Sequence, residues 1–138
     1  MWGNKASAAG NQLYFGDDAS DPVISFCDIQ GGKAAFGTNA NVFYLGSYTN
    51  NLDVVPVFVN PSAGSGSTTN GLSGDWRLMG NSPCINSGDP NGGPYAATDI
   101  IGNTRVLDGI IDMGAYEILI TGIKNATGQM SFTIYPNP

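Results

Sequence analysis

The 138 residues carry five lysines and arginines against eleven aspartates and glutamates, a net charge of −6, and no histidine. An acidic chain without a basic cluster repels phosphate backbones and anionic headgroups, so nucleic acid and a membrane surface are poor partners. Without an imidazole, Ser-His-Asp and Cys-His catalysis and histidine-bound zinc are also excluded. The length suits one domain. Gly, Pro, Asn, Asp and Ser make up close to half of the chain, whereas Lys and Glu number only three and one. That balance predicts short strands joined by many turns, and the 41% of apolar residues argues against wholesale disorder.

In chain order, Met1 to Gly10 has no apolar core and does not read as a signal peptide. Leu13 to Phe15 is an apolar cluster followed by Gly-Asp-Asp, and Val23 to Ile29 is followed by Gln-Gly-Gly. Val42 to Leu45, Val54 to Val59 and Trp76 to Leu78 come next, then Cys84-Ile85, Arg105 to Leu107 and Glu117 to Ile120. Each is strand length, and none keeps a helical period over ten or more residues. Pro56 and Pro61 confine their neighbourhood to edge or turn geometry. Asn60 to Gly71 reads as a surface loop; it has glycines but neither the lysine nor the following helix of a phosphate cradle. No apolar run approaches the roughly 20 residues that span a bilayer. Cys27 and Cys84 lie beside apolar neighbours and read as two buried thiols, with a disulfide as the alternative.

The stretch from Ser82 to Glu117 reads Ser-Pro-x-Ile-x-x-Gly-Asp, then Asp-x-x-Gly-x-x-Arg, then Asp-x-Gly-Ala-Tyr-Glu. This order resembles the last coil and cap of right-handed parallel β-helix proteins (choice-of-anchor and pectate-lyase-like) exported by Bacteroidota-type bacteria. The resemblance implies an all-β fold, a right-handed parallel β-helix whose C-terminal coils end in an irregular cap. Ile24 to Gly32 looks like a strand-turn unit of such a coil and Trp2-Gly3-Asn4 like the tail of an earlier one, so the chain would open in mid-coil. Residues 1–81 would hold the terminal coils with a long insertion near Lys33 to Asn51, and residues 82–120 the cap. Residues 121–138 would be a linker and the truncated start of a further domain. The final Phe-Thr-Ile-Tyr-Pro-Asn-Pro resembles the opening strand of the C-terminal sorting domain of type IX secretion. The implied partners are upstream coils of the same parent, the secretion machinery and polysaccharide; the implied location is secreted or cell surface.

Arg105 is the sole cation between Arg77 and Lys124, and Asp99, Asp108, Asp112 and Glu117 lie within twelve residues of it. Arginine pairs bidentately with carboxylates. We therefore expect a structural cluster in which Arg105 bridges Asp99 and Asp112 or Glu117 and pins the cap loops. Trp76, in Asp-Trp-Arg-Leu, and Tyr116 join that structural set by the resemblance. A calcium site is the sharper alternative, with Asp89, Asp99 and Asp112 as ligands and Asn86, Asn91 and Asn103 nearby. The EF-hand order and the nonapeptide calcium repeat are both missing. Asp17-Asp18 with Asp21 is a lesser candidate that reads better as a solvated turn.

We expect no cofactor and no catalytic residue in this chain. Among eleven acids some carboxylate pair is inevitable, so the count alone does not argue for glycoside hydrolysis. The lyases that share the resemblance use a Lys or Arg base with calcium, and Lys5, Lys33 and Arg77 are scattered here. The aromatics Trp2, Tyr14, Phe15, Tyr44, Tyr48, Trp76 and Tyr95 would serve either as a sugar platform or as packing, and we expect packing. Asn125-Ala-Thr127 matches a glycosylation pattern and reads as linker. The expected role is a non-catalytic capping segment of an exported β-helix protein. The alternatives are the C-terminal part of a carbohydrate-active enzyme with its active site upstream, and a calcium-stabilised carbohydrate-binding module.

Overall fold

The computed structural model describes residues 1–40, 42–64, 70–107 and 109–119. The middle of the Asn60 to Gly71 loop, Asp108, Ile120, Asn125 and the whole sorting-domain motif lie outside the described residues.

Turn formers recur so often that strands stay two to four residues long. They are β1 (Tyr14–Phe15), β2 (Ile24–Ser25), β3 (Gly37–Thr38), β4 (Tyr48–Thr49), β5 (Phe58–Asn60) and β6 (Asp75–Leu78). Two short 3₁₀ turns, Gly32–Ala35 and Gly71–Ser73, complete the regular structure. Among the described residues there is no α-helix and no closed sheet; the strands form three two-stranded pairs.

Pairs β1–β3 and β2–β4 are parallel, and β5–β6 is antiparallel. Partners in the parallel pairs run from Tyr14 to Gly37 and from Ile24 to Tyr48, with a further bridge from Asp28 to Leu52, offsets of 23, 24 and 24 residues. A third layer lies on the other side of Ile29. The Met1 amino group donates to the Asp28 carbonyl and the Gln30 amide donates back to Met1. That is the two-bond pattern of a parallel bridge. The corners repeat as well: Phe26 and Asn50, 24 residues apart, each follow a strand and adopt left-handed φ of 51° and 55°.

Inside these layers, Phe15, Ile24, Ile29, Val42 and Tyr44 form the main core, with Leu13, Cys27, Phe36 and Tyr48 packed on it. Phe15 stacks on Tyr44 with centroids 4.9 Å apart, and Phe36 meets both rings edge-on at 5.3 Å. Ring pairs of this kind add about 0.5–1.5 kcal/mol beyond the burial of area. The Tyr44 hydroxyl lies 2.7 Å from both the Pro22 and Ser47 carbonyls, and its single proton serves one at a time. Gly37 is required by proximity: a Cβ there would sit 2.4 Å from the Gly10 amide nitrogen.

The segment from Lys33 to Asn51, expected as an insertion, instead supplies β3 and β4. Gly37–Thr38 has no apolar alternation to announce a strand, and its pairing is set by β1. Conversely, Val42 to Leu45 alternates buried and exposed side chains without joining a sheet. The Asp21 carboxylate captures the Leu45 amide at 2.7 Å, and the Val42 amide turns back to Asn39. Cys84-Ile85 is a turn, and Arg105 to Leu107 contributes only one end of an isolated bridge.

Candidate functional site

Three loops between residues 84 and 119 arrive at three buried carboxylates. Asp99, Asp112 and Glu117 are 8%, 1% and 4% exposed. Burial of a charge is costly unless hydrogen bonds replace the lost water, and each carboxylate here accepts backbone amides.

Asp99 opens a tight turn. Its Oδ1 accepts the amides of Ile101 and Asn103 at 3.0 and 2.8 Å, and Oδ2 accepts the Asn103 side chain at 3.1 Å and the Glu117 amide at 2.9 Å. Gly102, with φ 92°, closes that turn in a conformation that side chains resist. Burial works to raise the Asp99 pKa, but the amides of Glu117, Asn103 and Ile101 outweigh it and hold the carboxyl below its ordinary range.

Asp112 joins distant segments. Its two oxygens accept the amides of Asn86 and Ile118, both at 2.8 Å. The same loops are tied by Gly88 to Ile111 and Met113 to Cys84 backbone bonds, each 2.9 Å.

Glu117 is less well served. Both its oxygens share one amide, that of Asp112, at 3.2 Å. Arg105 Nη1 lies 3.0 Å from Oε1 but has no hydrogen-bonded partner among the described residues, so this is an ionic contact without directed geometry. The other guanidinium arm donates to the Gly114 carbonyl at 2.8 Å. Burial pushes the Glu117 carboxyl up to about 7, the Asp112 and Asp99 charges add to the rise, and the Asp112 amide and Arg105 oppose it.

Asp99, Arg105, Asp112 and Glu117 therefore do come together, but with different pairing from that expected. Arg105 bonds neither Asp99 nor Asp112, because those short side chains spend their oxygens on backbone amides within reach. Trp76 stands apart on β6, edge-on to Phe58 at 5.3 Å, with its indole N–H donating to the Gly71 carbonyl at 2.7 Å. Arg77, beside it, is paired with Asp75 at 2.5 Å.

As calcium ligands, Asp89, Asp99 and Asp112 do not converge. Asp89 Oδ1 accepts the Asn91 amide at 2.8 Å in a local turn, and the oxygens of the other two point at N–H groups, which a cation would replace with repulsion. Among the described residues no group of three or more Asp, Glu, His or Cys side chains is arranged to hold a metal ion. Asp17 caps its own turn by accepting from Ala19 and Ser20.

Both cysteines are free. Cys84 is buried and donates toward Asp28 Oδ2 at 3.5 Å. Burial, and then the Asp28 charge, push its thiol up to about 11. Asp28 was missed by sequence reasoning. It is 9% exposed and its Oδ1 accepts the Val54 amide at 3.1 Å, locking two layers together. An acid inside the apolar run Val23 to Ile29 was the available signal.

Of the aromatics, Phe15 and Tyr44 are core, Tyr14 is exposed, and Trp2 and Trp76 are partly open. These two tryptophans, with Phe26, Phe58 and Met113, line a cleft of about 580 Å³ that has Asp28 and Cys84 in its wall. No helix among the described residues is long and apolar enough to cross a membrane. Compared with known proteins, the chain matches no family model, no curated protein and no solved structure.

Proposed function

We propose that this chain is the C-terminal end of a right-handed parallel β-solenoid and that residues 82–120 are its non-catalytic cap. The observation that carries the reading is the offset of 23 or 24 residues at the three parallel pairings among residues 14–52, with left-handed corners recurring at Phe26 and Asn50. A 24-residue turn of chain that stacks on the next one in register is what a solenoid coil does, and parallel crossovers are overwhelmingly right-handed. An uncovered end would present open strand edges and apolar interior. In this reading the loops pegged by Asp99, Asp112 and Glu117 would cover such an end, and the amides those carboxylates hold need no further partner. The Trp2 backbone has no backbone hydrogen bond among the described residues, as this reading expects where a further coil would pair.

Export to the cell surface or medium through type IX machinery belongs to the same reading; its support is the sequence motif at Phe132 to Pro138 alone. A chain ending at Asn81 tests the capping role beside the full chain. The truncated form should bind more apolar dye and sediment as larger species. Equal dye binding and equal sedimentation would reject the cap.

A second reading, a carbohydrate-binding surface, is favoured by the cleft that Trp2 and Trp76 share. Indole faces stack on sugar rings, and oligosaccharides should quench tryptophan emission in the native chain but not in Trp76→Ala. No quenching with any of a panel of acidic and neutral oligosaccharides would remove this reading.

A further inference from the structure

Three carboxylates, Asp99, Asp112 and Glu117, are buried and joined by shared hydrogen bonds, and one guanidinium, that of Arg105, meets Glu117 alone among them. With all four groups ionised the cluster keeps an excess of negative charge away from water, which is unfavourable. The hydrogen bonds decide which carboxylate yields. Asp99 accepts three backbone amides and one side-chain amide, and Asp112 accepts two backbone amides through separate oxygens. Glu117 has one shared amide and an undirected contact with Arg105. We propose that Glu117 is a proton-binding switch in the closing loops: protonated, it tightens them, and ionised, it loosens them.

The groups that face Glu117 are Asp112 on its own loop, Asp99 on the preceding loop and Arg105 between them. Arg77 of β6 lines the same depression of about 310 Å³ as Glu117 but is committed to Asp75. Burial and the two aspartate charges place the Glu117 transition at about 7 rather than its ordinary 4.5. A carboxyl raised in the folded state contributes stability that is complete below its unfolded value and is lost as pH rises through its folded value. The switch therefore acts between about pH 4.5 and 7. Asp99, with its pKa lowered, acts in the opposite sense and only at more acidic pH. This inference does not depend on the solenoid reading, since the cluster is internal to residues 84–118.

Glu117 is the sole glutamate of the chain, so glutamate labelled with ¹³C at the carboxyl gives a single assigned signal in the intact protein. The proposal expects its chemical shift to titrate near neutrality, more than about one unit above the ~4.3 of a free glutamate. It also expects amide exchange at Ile118 and Asn86 to speed up across that same transition. In Glu117→Gln, exchange at these amides should lose its dependence on pH beyond the intrinsic chemical rate. A midpoint at or below the ordinary value, or a raised midpoint with no accompanying change in exchange, would overturn the proposal.

Discussion

Asn51 holds the corner that Phe26 makes in the preceding layer. Its Oδ1 accepts the Cys27 amide and its Nδ2 donates to the Ile24 carbonyl, both at 2.9 Å. The side chain thus replaces, on either side of the left-handed residue, the ladder bonds that the corner interrupts. Asn51→Ala would leave a donor and an acceptor half-buried and unpaired. A loss of about 1–3 kcal/mol in urea denaturation is expected. Asn51→Asp keeps the acceptor alone and should fall between the two. A variant as stable as the native chain would show that the corner does not need it.

Ile29 is fully buried between the Met1 and Leu52 layers, whereas Ile100 is 69% exposed. Ile29→Ala should cost about 2–5 kcal/mol through lost burial and the cavity left behind. Ile100→Ala should stay within about 0.5 kcal/mol. Equal costs at the two sites would mean that the layers do not stack around Ile29.

Arg105→Ala removes the one cation facing Glu117. At about pH 8, where Glu117 is ionised, losing its partner should cost about 1 kcal/mol, because a carboxyl that titrates at about 7 can take a proton instead of staying stranded. At about pH 5.5 the carboxyl takes a proton instead, and the loss should shrink. Chemical denaturation of both proteins at both pH values checks the difference. A cost that is the same at both, or larger in acid, contradicts the assigned roles.

The two thiols should count as free under denaturing conditions without reductant. In the native chain Cys84 should react with alkylating reagents far more slowly than Cys27, being buried with a thiol pKa of about 11. Mass mapping of modified peptides distinguishes them. Failure of both to react until reduced would reveal a disulfide.

Calcium and chelator should leave the melting temperature alike. The Asp99 and Asp112 oxygens are already occupied by amide donors, and a cation that binds only the folded chain would raise stability. An upward shift with calcium that chelator reverses would place a site in this chain after all.

The turn-rich composition made short strands legible, and Leu13 to Phe15 and Val23 to Ile29 do hold β1 and β2. The strand at Gly37–Thr38 was not legible, because a glycine and a threonine carry no alternation and join a ladder only because β1 lies beside them. The pull of the carboxylates toward Arg105 could be read from charge spacing. The choice of Glu117 over Asp99 and Asp112 could not. It follows from the fold: Asp99 and Asp112 have their oxygens taken by amides that other segments bring to them, Glu117 and Asn86 among these, and Glu117 is left with one shared amide and the guanidinium. Asp28 was hidden for a related reason. An acid in an apolar run looks like a surface interruption until the second layer brings the Val54 amide to it.

Long-range nuclear Overhauser contacts between backbone protons test the stacked-coil account most directly. Parallel stacking with a 24-residue step predicts amide-to-Hα contacts linking Ile24 with the Ser47–Tyr48 segment and Leu52 with the Cys27–Asp28 segment, without close Hα–Hα pairs there. Strong Hα–Hα contacts between these segments, the mark of antiparallel pairing, or contacts at a different step would contradict it.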